Sequence, residues 1–393
     1  MDILKKVKEY EDFLIRTRRN LHKIPEVGLD TIKTCEEIEK ILLKNNIKYK
    51  KMLNDRAILA IIDSGKPGKC LAFRADMDAL KIKEETDLPF KSTNGNMHAC
   101  GHDGHMAIAI TSLLILNSMK DHFNGCIKFI FQPGEEYPGG AKLLIEEKVL
   151  ENPRVNCIIG SHIGGLFSSI PHGKIGLKSG NLMASMDKFS ITIIGRGGHA
   201  SMPEETVDPI VCIVDVVQAI NRIRSREVGY DSKVVISVCK ISSGINQNII
   251  PSEGIIEGTV RTFDDDIRMY IKNRIGEIAE NYARANRCKI DYKYSWKYPS
   301  LKNDVDVVKK LKCSIKKVLP EDDVIEIENA TMAADDMSYY LREVPGAYFM
   351  LSNLKKDEEG NVYPNHHCKF DIDEKKLYKV VLVYIQYALD YLN

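Results

Sequence analysis

The chain has 393 residues, of which 44% are hydrophobic and 28% charged, and its formal net charge is +1. This length favours two domains of roughly 100 to 200 residues over a single core. The near-zero charge and the absence of Lys/Arg clusters among aromatic residues exclude a nucleic-acid partner, and no run approaches the roughly 20 apolar residues of a membrane span.

The amino-terminal stretch and the cysteine pattern indicate the cellular compartment of the protein. The opening residues MDILKKVKEYEDF carry a charge every few positions, unlike a secretory signal. The ten cysteines are scattered without a CxxC pair, and we expect most of them to be reduced core residues. The protein is therefore predicted to be cytoplasmic.

Helices and strands are predicted to alternate along the first half of the chain. Apolar residues at three- and four-residue spacings predict helices over 3–14 and 32–42. The segments that follow are read alternately as strand and helix: CLAFRAD, GHMAIAITSLLIL, CIKFIF, GGAKLLIEEKVL and the strand NCIIGS. Such alternation is typical of a parallel or mixed sheet with helices on both faces.

A different order of elements begins near residue 187. KFSITIIG, KVVISVCKI, GIIEGTVRTF and CKIDYKYSW are predicted strands, with helices over 208–225 and 266–285. The resulting β-α-β-β-α-β order is that of a ferredoxin-like unit. We therefore predict an α/β domain formed by 1–186 and 298–393 and interrupted by an α+β insert, 187–297.

A group of metal-ligand residue types opens the long apolar helix. The segment MHACGHDGH contains Cys100, His102, Asp103 and His105, with His98 just ahead. Thiolate and imidazole are preferred ligands of zinc-like ions, and a turn before a helix lets neighbouring side chains converge. A single histidine here would more often cap the helix, but the cluster favours a metal site.

Two adjacent carboxylates, Glu135 and Glu136, follow an apolar strand in the Pro/Gly-bounded loop QPGEEYPGG. Because adjacent side chains point in different directions, one can bind a metal while the other acts as a general base. A solvated acidic turn is the alternative. The position of the two glutamates after a central strand favours a functional site over a solvated turn, because ligands bind beyond the carboxyl ends of such strands.

Further histidines come from two other segments. His162 ends a predicted strand in GSHIGG, and PNHHCKFDID supplies His366 and His367. Each alone could be a structural histidine. Together with the Cys/His cluster and the glutamates they suit two metal ions that share a hydrolytic water.

These motifs carry a family resemblance. HACGHDGH, FQPGEE, GSHIGG, GGHAS, NIIP, TMAADD and NHHCKFDID occur in this order across nearly the whole chain. The sequence resembles the M20 metallopeptidase family, in particular the subgroup of hippurate hydrolases, indole-acetyl-amino-acid hydrolases and N-acyl amino acid or N-acetyl-diaminopimelate deacetylases. Cysteine in place of the bridging aspartate of other branches is specific to that subgroup.

The resemblance implies a site that holds two divalent ions, zinc or manganese, with cobalt or nickel as alternatives. Glu135 would be the general base. His366 is preferred to His367 because it precedes the aromatic residue of the FD pair, Phe370, by four positions. The implied metal ligands are Cys100 as the bridging ligand, His102, Glu136, His162 and His366.

The resemblance also assigns roles in the insert, which would act as a lid and dimerisation domain. His199 would polarise the scissile carbonyl in the partner subunit of a homodimer, and Asn248 and Arg261 would bind substrate. Arg261 suits a substrate carboxylate because its guanidinium can bond both oxygens. Relatives usually carry Glu-Asp where this chain has Asp335 and Asp336, so Asp335 departs from the family pattern at a position beside the site.

The implied activity is hydrolysis of the amide bond of a small N-acyl amino acid of the N-acetyl, N-benzoyl or indole-acetyl type. A dipeptidase or aminopeptidase on the same scaffold is one alternative. A non-catalytic metal- or peptide-binding protein is the other, and retention of both Glu135 and the ligand set argues against it. Asp76 and Asp78, which end a predicted strand, are expected to support the site.

Overall fold

The computed structural model describes residues 2–393, and the chain divides into two compact units. The first unit contains the residues up to Leu182 together with Lys302–Asn329 and Asp335–Asn393. The second unit contains Met183–Leu301 and the short segment Ala330–Ala334. This last segment lies within the sequence range that was predicted to belong to the α/β domain.

Ten α-helices lie within the described residues. In chain order they are α1 (Ile3–Glu9), α2 (Glu11–His22), α3 (Ile32–Lys44), α4 (His102–Asn117), α5 (Gly140–Glu146), α6 (Pro209–Arg226), α7 (Asp265–Ala285), α8 (Val305–Val318), α9 (Met337–Glu343) and α10 (Tyr378–Leu392). Single turns of 3-10 helix occur at Lys120–His122, Pro203–Glu205, Glu321–Asp323 and Glu374–Lys376.

The strands alternate with these helices. They are β1 (Lys48–Met52), β2 (Ala57–Asp63), β3 (Cys70–Asp76), β4 (Cys126–Gln132), β5 (Cys157–Gly164), β6 (Ile175–Leu177), β7 (Gly180–Met183), β8 (Asp187–Ile194), β9 (Gly198–His199), β10 (Val234–Ser243), β11 (Ile249–Ile250), β12 (Glu253–Thr262), β13 (Lys289–Trp296), β14 (Leu301–Asn303), β15 (Val324–Glu326) and β16 (Gly346–Ser352).

The first unit is built on an eight-stranded mixed sheet in the order β1-β2-β4-β3-β5-β16-β6-β15. Its centre is parallel, with β3 between β4 and β5 and with β16 beside β5. Every residue of β3, β4 and β5 is buried, so both faces of the sheet are covered there. The predicted α/β fold class is confirmed.

Helix α4 lies at the centre of this core. It is buried from His102 to Leu116, and it packs against α2, α10 and β3. An apolar surface around the whole circumference is typical of a helix enclosed on all sides. The amino-terminal end of α4 is thereby held beside the carboxyl end of β3.

The second unit has the predicted ferredoxin-like order, β8-α6-β10-β12-α7-β13. Its antiparallel sheet has the strand order β10-β12-β8-β13, and burial alternates along β8 and β12 because α6 and α7 cover one face. Asp208 and Asp264 cap the two helices through their side chains. Strands β9 and β11 form a separate antiparallel pair.

Two local features differ from the sequence prediction. The first predicted helix is divided at Tyr10 into α1 and α2, and the antiparallel strands β1 and β2 were not predicted. The burial of β1 alternates between exposed and partly buried residues up to the buried Met52, and its sequence KYKKM shows no apolar run. Among residues 2–393, no helix has both the length and the apolar character required to cross a membrane.

A buried ion pair joins α10 to the 3-10 turn before β15. Asp323 accepts hydrogen bonds from Lys379 Nζ at 2.6 Å and Lys174 Nζ at 2.8 Å, and Lys379 Nζ also donates to the carbonyl of Gly173 at 2.7 Å. Burial on its own would raise the pKa of Asp323, but the two ammonium groups hold it below its usual value.

Asp323→Asn should therefore lower the free energy of unfolding by about 1 to 3 kcal/mol at neutral pH. The pKa of Asp323 is lower in the folded state, so the stabilisation is complete above the ordinary carboxyl pKa of about 4 and is lost as the pH falls through the folded-state value. Urea unfolding of both proteins at neutral and acidic pH tests this. If the difference in the free energy of unfolding between the wild type and Asp323→Asn did not become smaller at acidic pH, the ion-pair assignment would be contradicted.

Candidate metal centre

Four chain segments bring metal-ligand side chains to one edge of the central sheet. Strand β3 ends at Asp76, β5 carries His162, and the loop after β4 carries Glu135 and Glu136. The turn before α4 carries Cys100. Because β3, β4 and β5 are parallel, their carboxyl ends meet at the same edge, where ligands bind in open α/β sheets.

The donor atoms form two groups that share one thiol. Cys100 lies with His102 and His162 in one group and with Glu136 and His366 in the other, and the donor atoms within each group lie within 4.8 Å of one another. Cys100 Sγ is 3.4 Å from His162 Nε2 and 3.3 Å from His366 Nε2. These two groups are called the cluster below.

Hydrogen bonds set the tautomers of two cluster histidines. His102 Nδ1 donates to the carbonyl oxygen of Asp78 at 2.7 Å, and His162 Nδ1 donates to that of Ile163 at 2.7 Å. In both rings Nε2 is then the nitrogen that faces the cluster and is left to bind a metal ion. Buried His102 Nε2 has no hydrogen-bond partner among residues 2–393.

Asp78 also fixes the loop that carries the two glutamates. Its carboxylate accepts hydrogen bonds from the backbone N–H of Glu135 at 2.9 Å and from that of Glu136 at 3.0 Å. Since its carbonyl oxygen holds His102, one residue positions three predicted site residues. The supporting role predicted for Asp78 agrees with these contacts.

A buried arginine beside the site, Arg74, was not predicted from the sequence. Arg74, in β3, bonds Asp76 at 2.8 Å and Asp336 at 2.6 Å and lies 3.4 Å from Asp335. Asp335 also lies within 4.8 Å of Glu135 in a buried group of acids. The available signal was an arginine in an otherwise apolar predicted strand, followed at once by two aspartates in the sequence RADMD.

The cluster holds an excess of acidic groups. Burial raises the pKa of the Cys100 thiol, and Glu136 and Glu135 raise it further. Burial and the neighbouring Asp335 also raise the pKa of Glu135. Burial alone would lower the pKa of His102, but nearby aspartates raise it to about 10. Bound cations would offset this repulsion and favour the ligating, deprotonated forms.

Three members of the sequence cluster face elsewhere. His105 Nδ1 donates to Asp76 at 2.5 Å and its Nε2 accepts from the N–H of Ile163 at 3.0 Å. Asp103 points to α2, and His98 is buried with both ring nitrogens unpartnered among the described residues. Successive positions in the first turn of a helix project in different directions, so adjacency in sequence did not bring these side chains to the cluster.

His366, and not His367, lies at the cluster. Its Nε2 is 3.0 Å from Glu136 Oε1, whereas His367 stacks on Tyr363 with the ring centroids 4.8 Å apart. His366 has a φ of +70°, a left-handed conformation that is uncommon outside glycine, and its backbone N–H donates to the carbonyl of Ala99 at 2.7 Å. The surrounding segment therefore has to hold it in place.

The three predicted residues of the insert lie in the second unit. His199, in β9, accepts a hydrogen bond from Ser201 Oγ at 2.7 Å through Nδ1. Asn248 precedes β11, and its carbonyl accepts from the N–H of Ala200 at 3.1 Å. Arg261 donates to the carbonyl of Met332 at 3.0 Å. Their assignment to substrate binding and catalysis stays a prediction.

Fold and cluster together describe an α/β protein in which two groups of potential metal ligands share the thiol of Cys100. Residues 72–390 match the family described as peptidase family M20/M25/M40. The chain is 35% identical to thermostable carboxypeptidase 1 of Saccharolobus solfataricus over 100% of both chains.

Two further relatives come from Bacillus subtilis. Its N-acetylcysteine deacetylase is 32% identical, with 94% of each chain covered. The crystal structure of a dinuclear metal binding peptidase from the M20 family covers 98% of this chain and 99% of that one, with a TM-score of 0.83 and 29% identity. The chain belongs to peptidase family M20/M25/M40, and the predicted M20-type hydrolase class is confirmed.

The turn between two cluster residues requires glycine. Gly101 has a φ of +89°, and a Cβ added there would lie 3.0 Å from Ile163 Cγ1. Gly65 has a φ of +73°, but a Cβ added there would have no described heavy atom within 4 Å. Both positions share the conformational cost of a side chain at positive φ, and Gly101 alone adds crowding.

Gly101→Ala should therefore lower the melting temperature more than the matched control Gly65→Ala. The left-handed conformation costs roughly 1 to 2 kcal/mol in both variants, and the contact with Ile163 adds to it only at Gly101. Thermal unfolding by circular dichroism measures both. Equal losses would show that the packing around the turn is not a constraint.

Proposed function

We propose that this protein hydrolyses the amide bond of N-acyl amino acids with two divalent metal ions. The convergence of two donor groups on the thiol of Cys100, with Glu135 beside them, carries the proposal. Similarity to an N-acetylcysteine deacetylase over nearly the whole chain supports an acylated amino acid as the substrate class.

The residues of the cluster fit such ions. Two imidazoles present Nε2 to the cluster, and Glu136 Oε1 lies 3.0 Å from His366 Nε2, so a carboxylate and a third imidazole lie side by side. Thiolate, imidazole and carboxylate together suit zinc, and manganese is the alternative that the carboxylates accommodate. The residues that would hold the ions are Cys100, His102, Glu136, His162 and His366. When bound, the ions would acidify water and polarise the scissile carbonyl.

Glu135 is proposed to move the proton. As general base it would take a proton from the attacking water and return it to the leaving amine. Its backbone is fixed through Asp78, while its carboxyl group is buried near Asp335. A rigid, buried carboxylate next to the reacting atoms needs little reorganisation during the reaction.

The second unit is proposed to complete the reaction. His199 would polarise the substrate carbonyl in the other subunit of a homodimer, and Arg261 and Asn248 would bind the substrate, with Arg261 on its carboxylate. Exposed apolar residues support a contact through α6, where Val211 is 53% and Val214 is 49% exposed. A cytoplasmic location remains part of this proposal.

A carboxypeptidase activity is the second candidate. The similarity to thermostable carboxypeptidase 1 extends over the whole of both chains. A carboxypeptidase substrate also presents an acylated amino acid with a free carboxylate at the cleaved bond. The two candidates therefore differ in the acyl part, which is a small acid in one case and a peptide in the other.

Substrate assays separate these candidates. Metal-stripped protein supplied with zinc or manganese should release amine from N-acetyl, N-benzoyl or indole-acetyl amino acids faster than it cleaves unblocked dipeptides. Faster cleavage of N-blocked peptides would favour the carboxypeptidase. Metal binding without release from any of these compounds would overturn the proposed hydrolase activity.

A matched pair of isosteric variants separates the base from the ligand. Glu135→Gln should keep both ions and lose turnover by roughly 10²- to 10⁴-fold, the usual contribution of a general base. Glu136→Gln should instead lower metal affinity, because an amide oxygen replaces a charged ligand. Metal content and the rate of amine release are measured for both. Substantial turnover by Glu135→Gln would contradict the assignment of Glu135 as the general base.

A further inference from the structure

A buried ionic network lies beside the cluster and outside it. Arg18 and His22, both in α2, are fully buried. Arg18 Nε donates to Asp103 Oδ2 at 2.6 Å, and His22 Nδ1 donates to the same oxygen at 2.7 Å. Asp103 is itself 0% exposed, and a buried carboxylate is costly unless it is paired. The bonds from Arg18 and His22 offset that cost.

Asp103 belongs to the segment that carries two proposed ligands. It lies in the first turn of α4 and follows His102 directly, and Cys100 is three residues before it. A bond that fixes the Asp103 carboxylate therefore limits movement of the whole turn. The positive end of the α4 dipole also favours a carboxylate at this position.

The same guanidinium also reaches the segment that follows His366. Arg18 NH1 donates to Glu374 Oε1 at 3.2 Å and lies 3.7 Å from Asp371 Oδ1. The side chain of His366 is 51% exposed, and no strand or helix holds its backbone. One side chain thus connects two proposed ligand segments that are remote in sequence.

His22 extends the network to a third segment. Its Nε2 donates to Glu84 Oε1 at 3.2 Å, and Glu84 Oε2 accepts from the backbone N–H of Ser92 at 2.7 Å. The neighbouring residue Glu85 donates its N–H to the carbonyl of Cys368 at 2.9 Å. The loop that contains Glu84 is therefore joined both to α2 and to the segment of His366.

We propose that Arg18 and His22 are positioning residues of the metal centre, which hold the Cys100/His102 turn and the His366 segment at the spacing that two ions require. This inference rests on the proposed function. Neither residue contacts the cluster: Arg18 acts through Asp103 and Glu374, and His22 acts through Asp103 and Glu84. Support of this kind is usually worth about 10- to 100-fold in metal affinity or activity.

The main variant removes the Arg18–Asp103 ion pair, while His22 keeps Glu84 and Glu374 keeps Arg19 as charged partners. Arg18→Met/Asp103→Leu replaces the ion pair by apolar side chains of similar size, a change that often preserves stability. Arg18→Lys is studied beside it, because it keeps a cation but cannot bond Asp103 and Glu374 with the geometry of a guanidinium. The matched control is Lys379→Met/Asp323→Leu, a buried pair whose bonds run to Gly173 and Lys174.

Metal titration and the visible spectrum of the cobalt-substituted protein provide readouts besides activity. We expect the wild type and the control to bind two ions with the same affinities and spectrum. Arg18→Met/Asp103→Leu should bind at least one ion about 10- to 100-fold more weakly and show an altered cobalt spectrum, with Arg18→Lys intermediate and circular dichroism unchanged.

The outcomes separate the two proposals. Two ions in the wild type, with unchanged affinities and cobalt spectra in both Arg18 variants, would overturn the positioning role and leave the proposed function standing. Failure of the wild type to bind any ion would overturn the proposed function itself. Equal weakening in the Lys379/Asp323 control would also overturn the positioning role, because the effect would then follow from general destabilisation.

Discussion

The burial of acidic side chains at the end of the central sheet is the constraint on which the site depends. Asp76, Asp78, Glu135, Asp335 and Asp336 are all buried there. Carboxylates so close together repel one another unless cations or hydrogen bonds offset their charge. Arg74 offsets part of this charge from behind, and the backbone of the glutamate loop satisfies Asp78.

The negative charge that Arg74 and the backbone do not offset lies next to the cluster. This excess of negative charge explains how the site can bind cations. Backbone carbonyls accept from Nδ1 of His102 and His162, so Nε2 of both rings is oriented for an ion, and binding of the ion favours loss of the Nε2 proton of His102. Stability and function are linked here, because an ion that binds the folded chain also relieves the repulsion within it. The ionic network of α2 adds support through the bonds of Arg18 and His22 to Asp103 in the first turn of α4.

Sequence patterns were sufficient for the central strands β3, β4 and β5 and for convergence of the cluster, but not for β1 and β2. Alternating elements placed Glu135, Glu136 and His162 at strand ends, and the folded chain brings them together with Cys100. Patterns could not show which neighbours of Cys100 face the cluster, because that depends on the rotation of α4. They also gave no signal for Arg18, whose partners lie 85 and 356 residues away in the chain.

The central claim is that two divalent ions are held by donor groups sharing Cys100. Anomalous diffraction from crystals of the metal-loaded protein tests it most directly. The account predicts two peaks about 3.5 to 4 Å apart, one on each side of Cys100 Sγ, with His102, Glu136, His162 and His366 as the other ligands. A single peak, or peaks remote from Cys100, would contradict it.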